Sequence, residues 1–239
     1  MKKWLALALG ALLIVTVGCG GNKTTETPQA SQKVIKVGTN PDFAPFEFID
    51  GNGQMAGFDL DLIHAIGKKM GVKIEMQNIA WDGLIPAVQS GNVDLAIAGM
   101  AITEERKKVL LFSDPYYESG LTIMVPKNSS IQSIKDLEGK KIAVQIGTMS
   151  SKKAKEVPNA SVREFNTSAD AFMELKNGGA DSPFKIAGIP LSTASDAIAT
   201  KKDNKELMDK VNKAMKELKD SGEFDALYEK WFGEKPPKK

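Results

Sequence analysis

The stretch GFDLDLIHAIGKKMGVKIEMQNIAWDGLIPAVQSGNVDLAIAG, residues 57–99, decides the fold because it contains two helix patterns, each followed by a strand pattern. The strand pattern VIKVGT at residues 34–39 precedes it, and Gly71 marks the end of the first helix. Strands and helices that alternate in this way form a parallel, doubly wound sheet. The apolar face of the first helix comprises Phe58, Leu62, Ile63, Ile66 and Met70.

A second round of alternating patterns follows residue 120. Its members are the strand LTIMV, the short helix SIKDLEGK, the strand KIAVQ, the helix GTMSSKKAK, the strand SVREF and the helix TSADAFMELKNGG. Two amphipathic helices, NKELMDKVNKAMKELKDSG and EFDALYEKWFG, close the chain. Two α/β units in succession predict an α/β protein with two lobes.

The N-terminus has the pattern of a secretory signal peptide, which we predict for residues 1–18. Two lysines precede an apolar run at residues 4–17, and this run is shorter than the roughly 20 residues of a membrane-spanning helix. Cys19, the only cysteine, stands where the lipobox of bacterial lipoproteins has its diacylated cysteine. The alternative is an ordinary cleavage site with an incidental thiol, since Thr16 departs from the lipobox. Residues 19–33 are predicted to be a lipidated cysteine followed by a flexible tether.

Charge and motifs exclude several classes of function. Of the 32 Lys and Arg residues, two belong to the signal peptide, which leaves 30 against 30 Asp and Glu and does not favour nucleic acid as a partner. The chain lacks a P-loop, a nucleophile elbow and a dinucleotide fingerprint. His64 is the only histidine and has no second histidine or cysteine near it for a metal site. We therefore expect no metal and no cofactor.

Candidate binding residues follow the predicted strands, because open parallel sheets bind ligands at the carboxyl ends of their strands. Arg106 follows the strand at residues 93–99, where its guanidinium fork suits a carboxylate. The alternative for Arg106 is a solvated residue that opens a helix. Gly147, Thr148 and Ser150 offer backbone N–H groups and hydroxyls for an anion, and the alternative there is a plain N-cap.

Aromatic residues near the strand ends are candidates for the walls of a cleft. We expect Phe43 and Trp81 to face the cleft and Phe48 to pack in the core. The carboxylates near helix starts are interpreted as residues that favour the helix dipole, and so a general acid and base pair is not indicated. These carboxylates are Asp59, Asp61, Glu104 and Glu105.

The segments VGTNPDFAPFEF, GFDLDLIHAIGKKMG, WDGLIPAVQSGNVDLAIAGMAITEERKKVLLFSDPYYESG, LEGKKIAVQIGT and KWFG resemble the type II periplasmic binding proteins, bacterial extracellular solute-binding family 3. The resemblance implies two α/β lobes with parallel-rich sheets and a hinge. The first lobe would comprise residues 34–115 and 197–239, and the second residues 121–191. Hinge strands would lie at 116–120 and 192–196.

The same resemblance implies roles for individual residues. Arg106 would bind the α-carboxylate of an amino acid with help from Thr148, and the Gly99 carbonyl would accept from the α-ammonium. Phe43 and Trp81 would flank the ligand side chain. The remaining positions of the implied ligand-binding set are Asn40, Met100, Ala101, Gly147 and Met149.

The chain departs from the family pattern after LKNGGAD. The family continues with a strand that ends in an aspartate of D-x-P type and then a helix, whereas here Asp181 runs directly into SPFKIAG. The implied gap is about 20 residues, from ordinary strand and helix lengths. We therefore expect a shortened, less stable second lobe, and Asp181 is the candidate to replace the lost ammonium-binding aspartate.

The resemblance implies a non-enzymatic function. An extracytoplasmic receptor would capture an amino acid, expected to be polar, by hinge closure and deliver it to the membrane permease and ATPase of an ABC transporter. The neutral Asn40 and the aromatic walls argue against a strongly cationic ligand. Two alternatives remain open: a non-binding scaffold or decayed paralogue, and a periplasmic dehydratase-like enzyme on the same fold.

Overall fold

The computed structural model describes residues 33–177 and 184–237. All of these residues lie within one compact unit of the chain, Gln32–Lys239. The predicted signal peptide, Cys19 and Asp181 lie outside the described residues. The elements, in chain order, are β1 Val34–Thr39, β2 Asp42–Phe43, β3 Glu47–Ile49, β4 Met55–Ala56, α1 Phe58–Met70, β5 Lys73–Asn78, α2 Trp81–Ser90, β6 Leu95–Ala96, α3 Glu104–Lys107, β7 Leu110–Phe112, β8 Tyr117–Pro126, a 3₁₀ helix Ile134–Leu137, β9 Lys141–Gln145, α4 Met149–Lys155, β10 Ser161–Phe165, α5 Ser168–Asn177, β11 Phe184–Asp196, β12 Ala199–Lys201, α6 Lys205–Asp220 and α7 Glu223–Phe232.

The first lobe is built on a five-stranded sheet with the order β5-β1-β6-β12-β7. Strand β1 pairs in parallel with β5 and β6, as the alternating pattern predicts. Strand β12, which returns from the second lobe, pairs antiparallel with β6 and β7. The sheet is therefore mixed, and its parallel half carries the strand ends where ligands bind in this class of fold.

Helices cover both faces of this sheet. Helices α1, α6 and α7 pack on one face around Phe58, which is fully buried, and α2 packs on the other face through Leu84 and Val88. The predicted apolar face of α1 is buried except for Met70, which is partly buried. In the described ranges, no helix has the length and apolar character needed to cross a membrane.

The strand predicted for residues 93–99 is much shorter in the structure, where β6 covers only Leu95–Ala96. Gly99 adopts a positive φ of 51°, and its N–H donates to the Asp59 carboxylate instead of continuing a strand ladder. The apolar run therefore turns away from the sheet after Ala98. This turn brings the backbone of Gly99 and the following residues to the end of the sheet.

The second lobe contains two separate strand pairs among the described residues. Strands β8 and β11 form a long antiparallel pair, and β9 and β10 form a parallel pair. Helix α4, helix α5 and the 3₁₀ helix accompany these strands, and the core between them includes Ile123, Val125 and Leu137. The lobe lacks a strand that joins the two pairs within the residues described.

Strands β8 and β11 approach each other closely at the end nearest the first lobe. A Cβ at Gly120 would lie 2.3 Å from the Ser192 carbonyl oxygen, which no rotation of a side chain relieves. We expect Gly120→Ala to destabilise the protein by about 1–3 kcal/mol, the usual cost of overpacking. Urea denaturation measures this cost. The matched control is Gly51→Ala, because a Cβ there meets no atom within 4 Å, and an equal loss in both variants would contradict the prediction.

Candidate functional site

A cavity of about 730 Å³ lies between the strand ends of the first lobe and the second lobe. Its size falls within the usual range for small-molecule sites. Asn40, Phe43, Trp81 and Arg106 line it from the first lobe, and strand β9 lines it from the second. The cavity is therefore shared by both lobes.

Arg106 is the buried cation of this cavity. It lies in the four-residue helix α3, whose N-cap is Thr103, and it is 9% exposed. Its Nη1 donates to the Ala101 carbonyl at 2.8 Å, its Nη2 donates to the Gly147 carbonyl at 3.4 Å, and the guanidinium lies 5.2 Å from the Trp81 ring centroid. Burial lowers the pKa of Arg106. In the described part of the chain, no carboxylate forms an ion pair with it.

Polar contacts join the two lobes around the cavity. The side-chain amide of Gln145 donates to Asn40 Oδ1 at 3.2 Å and to Asp42 Oδ2 at 3.4 Å. The backbone N–H of Ser168 also donates to Asp42 Oδ2 at 3.1 Å, and the Ser168 hydroxyl donates to the Asp42 carbonyl at 2.9 Å. Burial raises the pKa of Asp42. These contacts hold the second lobe against the first.

Three buried carboxyl groups lie beside the cavity. Glu47, Asp59 and Asp196 are 1%, 0% and 2% exposed. Asp59 Oδ2 accepts hydrogen bonds from the Gly99 N–H and the Tyr116 hydroxyl, both at 2.8 Å. Burial raises the pKa of all three groups, to about 7 for Asp196 and well above its usual range for Glu47. The interpretation of Asp59 as a helix-start carboxylate is therefore incomplete, because Asp59 is fully buried and supports the turn at Gly99.

The structure brings most of the predicted site residues to the cavity. Asn40, Phe43, Trp81, Gly99, Ala101, Arg106, Thr148 and Met149 line it. Thr148 is the N-cap of α4, where its hydroxyl oxygen accepts from the Ser151 N–H at 3.1 Å. Gly147 lies beside Trp81, and the side chain of Met100 packs in the core below α2. Phe48 is partly buried, against Trp231.

The cavity extends beyond the site into the second lobe. Its deep part is lined by apolar residues of β8 and β9, among them Ile123, Val125, Ile142 and Val144. Each of these two strands pairs with a single neighbour in the ranges described.

Sequence reasoning missed several residues of this site. The sequence places Asp196 only in a predicted hinge strand, and Glu47, Gln145 and Ser168 are not among the predicted site residues. No local motif marks them, because they lie on four separate segments that only the packing of the two lobes brings together. The one available signal was the polar residue Asp196 beside the apolar run 197–199.

The sequence and fold match known proteins. The arginine-binding extracellular protein ArtP of Bacillus subtilis is 37% identical over 98% of this chain and 100% of that protein. The structure of the arginine-, lysine-, histidine-binding protein ArtJ from Geobacillus stearothermophilus is 35% identical and covers 85% of this chain and 97% of its own, with a TM-score of 0.80. An ancestral amino-acid-binding protein, a precursor of cyclohexadienyl dehydratase, is 42% identical and covers 83% and 95%, with a TM-score of 0.76.

The alignment with ArtP also bears on the predicted gap. It is 258 positions long, whereas this chain has 239 residues. At least 19 positions are therefore filled in the relative and empty here. This number agrees with the loss of about one strand and one helix, and its place after residue 181 stays a prediction.

All three proteins are named for binding, and the two solved structures share the two-lobed α/β fold described above. Residues 35–234 match the family described as bacterial extracellular solute-binding proteins, family 3. The match covers both lobes and includes Arg106 and its neighbours. The chain therefore belongs to the bacterial extracellular solute-binding proteins, family 3.

Proposed function

We propose that this protein captures an amino acid between its two lobes and delivers it to a membrane permease driven by an ATPase. The observation that carries the proposal is Arg106, a buried guanidinium that faces the cavity without a carboxylate partner among the described residues. A buried charge is costly unless it is paired. The α-carboxylate of an amino acid supplies that partner, in the bidentate geometry that arginine prefers.

The second lobe supports capture by closure. Gly147 on this lobe already contacts Arg106, and Lys152 forms an ion pair with Glu105 at 2.9 Å. Both contacts connect the loop after β9 and the start of α4 with the turn that carries Arg106. The chain passes between the lobes at the paired ends Tyr117 of β8 and Asp196 of β11, which we call the crossing. Rotation of the lobes about this crossing would break both contacts together and open the cavity.

The side chain of the ligand would lie between aromatic walls. Phe43, which is 42% exposed, and Trp81 face the cavity. Phe43 stacks on Phe46 with ring centroids 5.3 Å apart, which leaves its outer face open. The part of the cavity formed by the first lobe and the crossing carries three acidic groups, Asp42, Glu47 and Asp196, beside the one basic group of Arg106. Because ArtP and ArtJ are named for arginine, a ligand with a polar or cationic side chain fits best, and the expectation against cationic ligands from Asn40 loses weight.

The protein acts outside the cytoplasm, as the family description states. We propose that Cys19, outside the described residues, carries a lipid that holds it at the outer face of the membrane. Such attachment would keep the receptor near its permease. Mass spectrometry of the membrane fraction, with Cys19→Ser as control, tests the anchor.

Two alternatives have specific support. The interrupted sheet of the second lobe favours a scaffold that no longer binds. The relative that is a precursor of a dehydratase, together with Asp196 in the cavity, favours an enzyme. We prefer binding, because that precursor is itself described as an amino-acid-binding protein.

A thermal-shift screen of the chain from residue 20 onward, against the twenty amino acids, tests the proposal. An amino acid at 100 times its dissociation constant adds about 2.7 kcal/mol to the free energy of unfolding. We expect a clear rise in melting temperature with one or a few amino acids. A protein that melts cooperatively but responds to none of them would support the scaffold instead.

A further inference from the structure

Asp196 is a buried carboxylate on the same cavity as Arg106. It is 2% exposed, and its Oδ1 accepts a hydrogen bond from the Ser119 hydroxyl at 2.7 Å. Over the described ranges, no lysine or arginine forms an ion pair with it. The direct hydrogen-bond partner of the Asp196 carboxylate is therefore a neutral hydroxyl and not a cation.

The backbone holds Asp196 in place from both sides. Asp196 forms a bridge with Ala101, and its carbonyl accepts from the Tyr116 N–H at 3.0 Å. The next residue, Ala197, donates to the Met100 carbonyl at 3.1 Å. The carboxylate is thus fixed at the crossing between the lobes, directly beside the turn that leads to Arg106.

Arg106 and Asp196 are close but do not pair with each other. Each affects the pKa of the other through space, yet their side chains form no ion pair. Two buried opposite charges on one cavity are stable only if something else pairs with them. An α-amino acid carries a carboxylate and an ammonium on one carbon atom, so its two charges match this arrangement.

We infer that Asp196 binds the α-ammonium group of the amino acid whose α-carboxylate lies on Arg106. The inference rests on the proposed function and deepens it. It gives to Asp196, at the lobe crossing, the role that the family resemblance implies for an aspartate on a strand absent here, or for Asp181. A chain that lacks that strand thereby keeps a complete site for a zwitterion.

The surroundings of Asp196 determine how it responds to pH. Burial is the main reason why its pKa rises to about 7, and Asp59 and Glu118 add to the rise, whereas Ser119 and Arg106 oppose it. Other titratable groups that interact with Asp196 are Glu47, Tyr116 and Tyr117. A bound ammonium favours the ionised carboxylate and lowers this pKa. Binding should therefore release a proton.

The expected pH dependence follows from that release. In the free protein Asp196 is ionised above a pH of about 7 and protonated below it. Affinity is then greatest above pH 7 and falls by about tenfold between pH 8 and pH 6, provided that the bound pKa lies well below 6. At pH 7, binding should release about half a proton per ligand. Calorimetry in buffers with different ionisation enthalpies measures this number.

The experiment compares wild type with Asp196→Asn, using arginine, glutamine and the arginine analogue that lacks the α-amino group. We expect Asp196→Asn to weaken arginine and glutamine alike by about 30-fold or more, and to abolish proton release. The analogue should bind both proteins equally weakly. Asp203→Asn removes an exposed carboxylate that does not line the cavity; it is the matched control and should keep both the affinity and the pH profile.

A structural role for Asp196 predicts a different result. A carboxyl group with a raised folded-state pKa destabilises the folded protein above its unfolded pKa of about 3.9. Ligand-free Asp196→Asn should therefore melt at or above the wild-type temperature at pH 8, and a large drop would contradict the inference. Unchanged affinity and pH profile, or a loss confined to arginine, would also overturn it. If Arg106→Ala alone loses binding, the proposed function stands without this inference, and if wild type binds no amino acid, both fail.

Discussion

Replacement of Arg106 by alanine is expected to weaken amino-acid binding by about 2–5 kcal/mol, or roughly 30-fold to several-thousand-fold. Arg106 is 9% exposed and is the cation that the first lobe places on the cavity. Without it, the ligand carboxylate would be buried with no charged partner. Isothermal titration with the best ligand from the screen measures the loss, and the ligand-free melting curve shows whether the variant is folded.

A further variant, Arg106→Lys, distinguishes the two parallel hydrogen bonds of the guanidinium from its positive charge, and Arg163→Ala is a control. Arg106→Lys keeps a positive charge but cannot form two parallel hydrogen bonds, so we expect an intermediate loss of affinity. Arg163→Ala removes an arginine whose side chain is 57% exposed and pairs with Glu174 in the second lobe, and it should bind like wild type. Equal affinity of Arg106→Ala and wild type would rule out the guanidinium as the carboxylate site.

Replacement of Phe58 by alanine is expected to lower the free energy of unfolding by about 3–5 kcal/mol. Phe58 is 0% exposed and contacts the rings of Tyr116, Phe224, Tyr228 and Phe232, with centroids 5.1–6.0 Å away. The residue joins α1 to α7 and to the segment that enters the second lobe. Alanine would leave a cavity at the centre of this cluster. Urea denaturation in the absence of ligand measures the cost.

Phe43→Ala is the matched control for stability. The Phe43 side chain is 42% exposed, so its removal should cost far less stability than the removal of Phe58. Because Phe43 lines the cavity, its variant should instead lose affinity for the ligand. A comparable loss of stability in the two variants would contradict the assignment of Phe58 to the core and Phe43 to the cleft.

Much of the first lobe could be predicted from local patterns. The 3.6-residue period of α1 places Leu62, Ile63 and Ile66 on one buried face, and Gly71 ends this helix with a φ of 68°. The parallel pairs β1–β5 and β1–β6 follow from the alternation of strands and helices. The rule that ligands bind at strand ends also led correctly to the turn that carries Arg106, although its binding role stays a prediction.

Patterns along the chain were less informative about the second lobe. Strands β8–β11 and β9–β10 form two separate pairs in the described ranges, and no periodicity indicates how two such pairs pack. The position of Asp181 lies outside the described residues, so its proposed role is untested. The alternative candidate, Asp196, is the last residue of β11 and lines the cavity at the crossing between the lobes.

The sequence by itself determined the class of fold, the family and the cation of the site, because periodicity, strand order and the residues around Arg106 are local properties. Only the tertiary structure decided which carboxylates lie beside the turn that leads to that cation. Asp59 and Asp196 are 137 residues apart in the chain, yet each lies beside the turn at residues 99–101. Burial is the main cause of their raised pKa values, and burial is a property of the packed lobes.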